Sequence, residues 1–383
     1  MLGIVRIEPA PVDGVFAIVM AVAIVTGRFD FRSAPLWAFV LVGLFLALNL
    51  LACMEAVKPS RAASFMSITV YLCLLGLWIS GYVRTEARAR MVLRLWVGTA
   101  VLTAAASTLA LYVAFPGSGE LHSRYVDRAS GFFSDPNVYG PFLIPPAIFV
   151  LHELLEPRLL RGGRLLKLLC LSVLVLGVTT SYSRAAWLNL GVAVLVMLAV
   201  LPLRRGGVRR ASALLVTLVA CFGAAGAAVV VSGSSNFLEE RAHLQSYDSQ
   251  RFGAQRGGIE LAEEHPLGVG PGQFELLEPI SAHSTFVRAL AEEGIAGLAV
   301  LAALLLTTLG VAVRNVMQGR STAGLSSTAL LAAWCGLLAN SFFVDTLHWR
   351  HLWILAGLIW AGSMLAPAES AQASSSTGVR SPV

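Results

Sequence analysis

Three short stretches carry side chains suited to gripping an anion and moving a proton. SYSRAAW (181–187) sets Arg184 between two apolar runs, DSQRFGAQRGG (248–258) places Arg251 and Arg256 ahead of a helical stretch, and HSTFVRALAEEGIAG (283–297) carries His283 and Arg288. A planar guanidinium can bind two phosphate oxygens at once. An imidazole is the side chain best matched to taking a proton near neutral pH. Each residue also has a plainer reading. An arginine at membrane depth costs about 2.5–3.5 kcal/mol on insertion scales, so Arg184 either snorkels to the interface or binds an anion. Arg251 alone reads as a loop salt bridge. On a helical wheel His283 shares a face with Phe286, Val287 and Leu290, with Arg288 turned about 140° away. On such an apolar face the imidazole is expected to be neutral, and the pattern by itself favours simple packing.

Other chemistries lack their residues. The six aspartates form no Asp-x-Asp pair of the kind that would hold a divalent ion against a diphosphate. The seven histidines form no HExxH or other close ligand set, so no metal and no cofactor is expected. GVGPG (268–272) superficially suggests a phosphate loop, but neither a preceding strand nor a Gly-Lys pair accompanies it, and a tight turn is the expectation. Acids gather at the ends of apolar runs, as Glu55 and Asp345 do, which disfavours an ion-coupled transporter. Cys53, Cys73, Cys170, Cys221 and Cys335 lie in apolar runs with no CxxC spacing and read as packing residues.

The elements that must position these groups are helices in a bilayer. Of 383 residues 56% are hydrophobic and 13% charged, with a mean hydropathy of +0.74, whereas soluble domains carry about 25% charged residues. The expected fold is an all-α polytopic membrane protein with about eleven (10–12) spans near 14–27, 34–54, 64–83, 95–115, 137–155, 165–183, 185–203, 211–233, 294–313, 326–344 and 351–366. The loops holding Arg28/Arg32, Arg84 to Arg94, Arg158 to Lys167, Arg204 to Arg210 and Arg314/Arg320, with Arg380 in the tail, carry 17 of the 28 basic residues and are expected to be cytoplasmic. The net charge of +6 is thus a matter of membrane orientation, with no nucleic-acid partner. One polytopic domain (1–366) is expected. It includes a large extracytoplasmic loop with short helices and an interfacial helix (234–293), and a low-complexity, disordered tail follows (367–383).

Taken in order, the motifs resemble the O-antigen ligase and O-antigen polymerase superfamily of bacterial membrane glycosyltransferases. GFFSDPNVYGPFL (131–143), SYSRAAW (181–187), RFGAQRGGIELAEEHPLGVGPGQF (251–274) and AHSTFVRALAEEGIAGL (282–298) carry the likeness, which runs over about 128–350. Fewer spans than the twelve usual for the ligases, and Ser284 where Asn is common, depart from the pattern. The resemblance implies a metal-independent, inverting transfer of an oligo- or polysaccharide at the outer face of the bacterial inner membrane. The donor would be an undecaprenyl-pyrophosphate-linked glycan, and the acceptor a glycan or lipid A-core. It assigns Arg184 and Arg251 to the pyrophosphate and His283 to the general base. Asn137, Arg256 and Arg288 are weaker substrate-binding candidates, and Asn137 reads equally as a helix-start cap. Membrane lipids and polysaccharide-assembly proteins are the further partners implied. Two alternatives stay open: a repeat-unit polymerase of the same superfamily, and a transporter or flippase whose arginines hold an anionic lipid headgroup.

Overall fold

The computed structural model describes residues 11–27, 34–123, 128–203, 207–231 and 246–365. The expected tail at 367–383 and the first part of the long loop, 234–245, lie outside the described residues. The described residues are mostly helical: α1 (Pro11–Val25), α2 (Leu36–Ala52), α3 (Pro59–Tyr82), α4 (Glu86–Ala110), α5 (Pro136–Phe142), α6 (Ile144–Leu155), α7 (Arg164–Thr180), α8 (Arg184–Val200), α9 (Gly207–Val231), α10 (Ser246–Glu264), α11 (Phe274–Leu277), α12 (Thr285–Met317), α13 (Ser327–Asn340) and α14 (Arg350–Met364). A two-residue hairpin, β1 (Ser321–Thr322) and β2 (Leu325–Ser326), joins α12 to α13.

Among the described residues seven helices are long and apolar enough to cross a membrane. They are Leu36–Glu55, Pro59–Tyr82, Glu86–Ala110, Pro136–Leu155 (α5 and α6 together), Arg184–Leu203, Gly207–Ala227 and Thr285–Met317. The expectation of about eleven counted α1, α7, α13 and α14 as well. At 15, 17, 14 and 15 residues these are shorter than the ~20 that cover a hydrocarbon core at ~1.5 Å per residue.

Burial sorts the helices into an inner and an outer set. α14 is buried continuously from Arg350 to Gly362 and packs against α3, α12 and α13. At Gly357 a Cβ would run into the backbone carbonyl of Gly76, so the α3–α14 crossing depends on the missing side chain. α6 is also enclosed, whereas α2 and α9 lie outside, and α9 exposes Leu215, Val216, Val219 and Phe222. Apolar residues on an outer surface are the pattern of a bundle solvated by lipid, where helix association rests on packing and not on the removal of apolar groups from water.

The two ends of the bundle differ. At one end Arg158 pairs with Glu86, Arg210 with Glu156 and the buried Lys167 with Glu153 (3.2 Å), so the basic loops expected on a common side do meet. At the other end the α7–α8 turn, the 265–284 segment, the 341–349 loop and the α2–α3 connection come together. Lys58 N–H donates to Gln273 Oε1 (2.8 Å), and Thr285 N–H donates to the Ser341 carbonyl (2.9 Å). All six candidate site residues belong to this second end.

Candidate active site

Arg184 is fixed by a three-residue turn. α7 ends at Thr180, Tyr182 takes a left-handed φ of 48°, and the Ser183 hydroxyl caps α8 by accepting from the Ala186 N–H (3.4 Å). Arg184 therefore opens α8, where the helix dipole adds positive potential to its own charge. A buried arginine that drew no attention in the sequence, Arg128, stiffens this turn. Its Nε donates to the Ser181 carbonyl (2.8 Å) and its Nη2 to Asn137 Oδ1 (2.9 Å). Asn137 is not the cap of α5. Asp135 holds that role, accepting from the Asn137 N–H (2.8 Å), and the Asn137 side chain is engaged with Arg128.

Arg251 lies in the first half of α10, which packs along α12. Arg256 is exposed one and a half turns further on and lines none of the cavities described below. His283 does not lie on the apolar helix face that the helical wheel predicts for it. Ser284 is the N-cap of α12, its hydroxyl accepting from the Val287 N–H (3.5 Å), so the helix begins only at Thr285. His283 precedes the cap with a left-handed φ of 46° and is half-buried. A cap residue leaves the helical φ/ψ region, so wheel geometry does not extend behind it.

Arg184, Arg251 and His283, drawn from three separate elements, line one cavity of about 250 Å³. Ala185, Leu188, Phe252, Gln255 and Phe343 complete it, and no carboxylate lines it among the described residues. Burial lowers the His283 imidazole to about 4, with the Arg251 guanidinium acting in the same direction and Asp135 and Asp345 opposing. The histidine is thus neutral at pH 7 and able to accept a proton. At about 4 it is a weaker base than the value near 7 that catalysis at neutral pH favours.

The tight turn expected at GVGPG is set by its packing against α12. Gly268 (φ 87°) lies against the backbone of α12 where that helix kinks at Gly294 (φ 71°), and a Cβ at either position would meet the other's backbone. Glu292, fully buried, accepts from the Gly272 N–H (2.8 Å) and the Phe274 N–H (3.1 Å). Backbone donors that might have cradled a phosphate are thereby taken by the protein's own carboxylate. Arg288, also buried, bonds Glu275, Glu292 (3.4 Å) and Asp345 (3.0 Å). It points away from the Arg184 cavity and into a second one. Among the described residues no group of three or more His, Cys, Asp or Glu is arranged to hold a metal ion.

Residues 169–302 match the family model described as O-antigen ligase. This segment is similar to the O-antigen ligase family. The O-antigen ligase match covers roughly a third of the chain, from within α7 to the middle of α12, and contains Arg184, Arg251 and His283 together with the Glu292-bound turn. The 131–143 stretch and everything after 302, which the sequence resemblance included, lie beyond it. No curated protein matches the chain.

Proposed function

We propose that the protein is an inverting glycosyltransferase of the O-antigen ligase kind. It moves an oligo- or polysaccharide from undecaprenyl pyrophosphate to an acceptor glycan at the outer face of the inner membrane. The observation that carries this reading is the convergence of two arginines and a neutral histidine in one cavity with apolar walls, inside the matched segment.

The chemistry follows from the groups present. The acceptor hydroxyl oxygen attacks the anomeric carbon of the donor sugar, and the bond from that carbon to the pyrophosphate oxygen breaks. The departing oxygen keeps the electron pair, and His283 takes the hydroxyl proton. Negative charge develops on the leaving pyrophosphate, so the catalytic need is fixed positive charge at that oxygen and not a protonating acid. Arg184 and Arg251 supply it in a site whose apolar walls weaken dielectric screening. Burial is the main reason His283 is lowered; the donor's charge beside Arg251 offsets that guanidinium's smaller part and so raises the basicity of His283 once donor is bound. Leu188, Phe252 and Phe343 offer the lipid's first isoprene units an apolar wall. A single displacement needs no covalent carboxylate.

The test is purified protein in proteoliposomes with lipid-linked donor and acceptor, followed by mass spectrometry. Covalent transfer product without an ion gradient, lost in R184A, R251A and H283A, is the expected result. Movement of the lipid without product would establish a flippase instead, and unchanged transfer in all three variants would overturn the site assignment.

A further inference from the structure

Beside the Arg184 cavity, at the same end of the bundle, lies a second cavity of about 300 Å³. Its charged lining is balanced: the arginines Arg61, Arg288 and Arg350 face the carboxylates Asp13, Glu275 and Asp345. Each is paired with another, Arg61 with Glu275 (3.2 Å), Arg288 with Glu275 and with Asp345 (3.0 Å), and Arg350 Nε with Asp13 (2.8 Å), and Arg288 also reaches the buried Glu292 (3.4 Å) outside the lining. His348 adds no charge, since burial holds it down at about 4 against the opposing pull of Asp345. A site of zero net charge with its ions already mated gains nothing from a charged ligand, which would have to displace an existing partner from a poorly hydrated pocket. It does offer donors and acceptors in a ring, together with aromatic walls from Phe65, Phe133, Phe142 and Trp349. His351, another lining residue, is buried and its Nε2 has no hydrogen-bond partner among the described residues. Polar groups at fixed positions among apolar and aromatic walls suit a ligand that is hydroxyl-rich on its edges and apolar on its faces. A pyranose ring fits that description, and the volume, near the lower limit for ligand sites, suits one ring and not an oligosaccharide.

The two cavities have no lining residue in common, but one loop, 341–349, contributes to both. Phe343 lines the first and Asp345 the second, and Asp345 lies close enough to His283 to influence its proton affinity. We infer that the second cavity is the acceptor subsite, holding a single uncharged sugar ring at the acceptor's end so that one of its hydroxyls reaches His283. This rests on the transferase reading above and adds to it the class of acceptor: a neutral sugar at the point of attachment.

Ser134 lines the second cavity and is exposed, so a tryptophan there fills the cavity without disturbing a packed core. Ile68→Trp narrows it from the α3 side. In full-length protein reconstituted with lipid-linked donor, both variants are expected to raise the acceptor KM at least tenfold, while binding of undecaprenyl pyrophosphate stays within twofold of wild type. On the wild-type protein, neutral methyl glycosides are expected to compete with acceptor at least tenfold more strongly than the corresponding methyl uronides. Wild-type acceptor KM in both tryptophan variants, loss of undecaprenyl pyrophosphate binding in them, or equal competition by neutral and acidic glycosides would each overturn the inference. R184A, R251A and H283A keep the two readings separate. If they abolish transfer while S134W and I68W behave as wild type, the transferase stands and the acceptor subsite falls.

Discussion

The two cavities at the loop-rich end of the bundle are built from neighbouring segments yet differ in how charge is handled. One gathers Arg184 and Arg251 beside a neutral His283, with apolar walls and no carboxylate in its lining among the described residues. The other contains more charged side chains, three arginines and three carboxylates, and sums to zero because each is bonded to another. Counting charged residues would rank the second as the stronger electrostatic site. Pairing reverses the order, because a guanidinium already held by a carboxylate has little to give an incoming anion, whereas a net cationic pocket does. Under the proposed function the pyrophosphate belongs to the first cavity, and under the further inference the uncharged sugar belongs to the second.

The largest expected effects break the first cavity. Replacing Arg184, Arg251 or His283 by alanine should each reduce transfer by about 10²–10³ or more, the scale at which a single transition-state contact acts, with normal membrane insertion. A lysine at 184 or 251 should restore only part of this, since a point charge cannot replace the bidentate grip; initial rates of product formation measure both. Next comes the scaffold that the cavities share. Glu292→Ala removes the acceptor for two buried N–H groups and a partner of the buried Arg288. Breaking a buried pair from one side costs about 3–5 kcal/mol, so this variant should lose monodisperse yield in size-exclusion chromatography. An intact, well-behaved E292A protein would show that the turn docks by other means.

Smaller effects sharpen the comparison. Because His283 is lowered to about 4 in the free enzyme, protonation should disable it only well below the ordinary histidine value of about 6.5. The acid limb of kcat/KM should therefore lie below pH 6, and that of kcat, which reports the donor-bound state, should lie higher. Arg251 contributes to the lowering, so residual activity in R251Q should show its kcat/KM limb displaced upward. The least effect is expected from Arg256→Ala, less than threefold on transfer, because the side chain is exposed and outside both cavities.

Much of this was legible in the chain. Apolar runs mark the helices because a continuous apolar run in a bilayer satisfies its own backbone hydrogen bonds as a helix, and the order of the Arg184, Arg251 and His283 motifs marks residues that do come together. Local pattern failed where a single cap or kink redirects the chain. Ser284 starts α12 one residue after His283, which removed the histidine from the helical face assigned to it. Of the second cavity's charged residues only Arg288 stands out in the sequence as a binding candidate. Asp13, Arg61, Glu275, Arg288, Asp345 and Arg350 are brought together from five parts of the sequence by the packing of α14 against α3 and α12, and nothing in the spacing of any one segment announces the others.

Binding of undecaprenyl pyrophosphate, without sugar, to protein in lipid nanodiscs addresses the central division between the cavities. The account predicts tight, saturable binding by the wild type and by S134W, and a loss of at least a hundredfold in the R184A/R251A double variant. Equal affinity in all three proteins, or a loss confined to S134W, would contradict it.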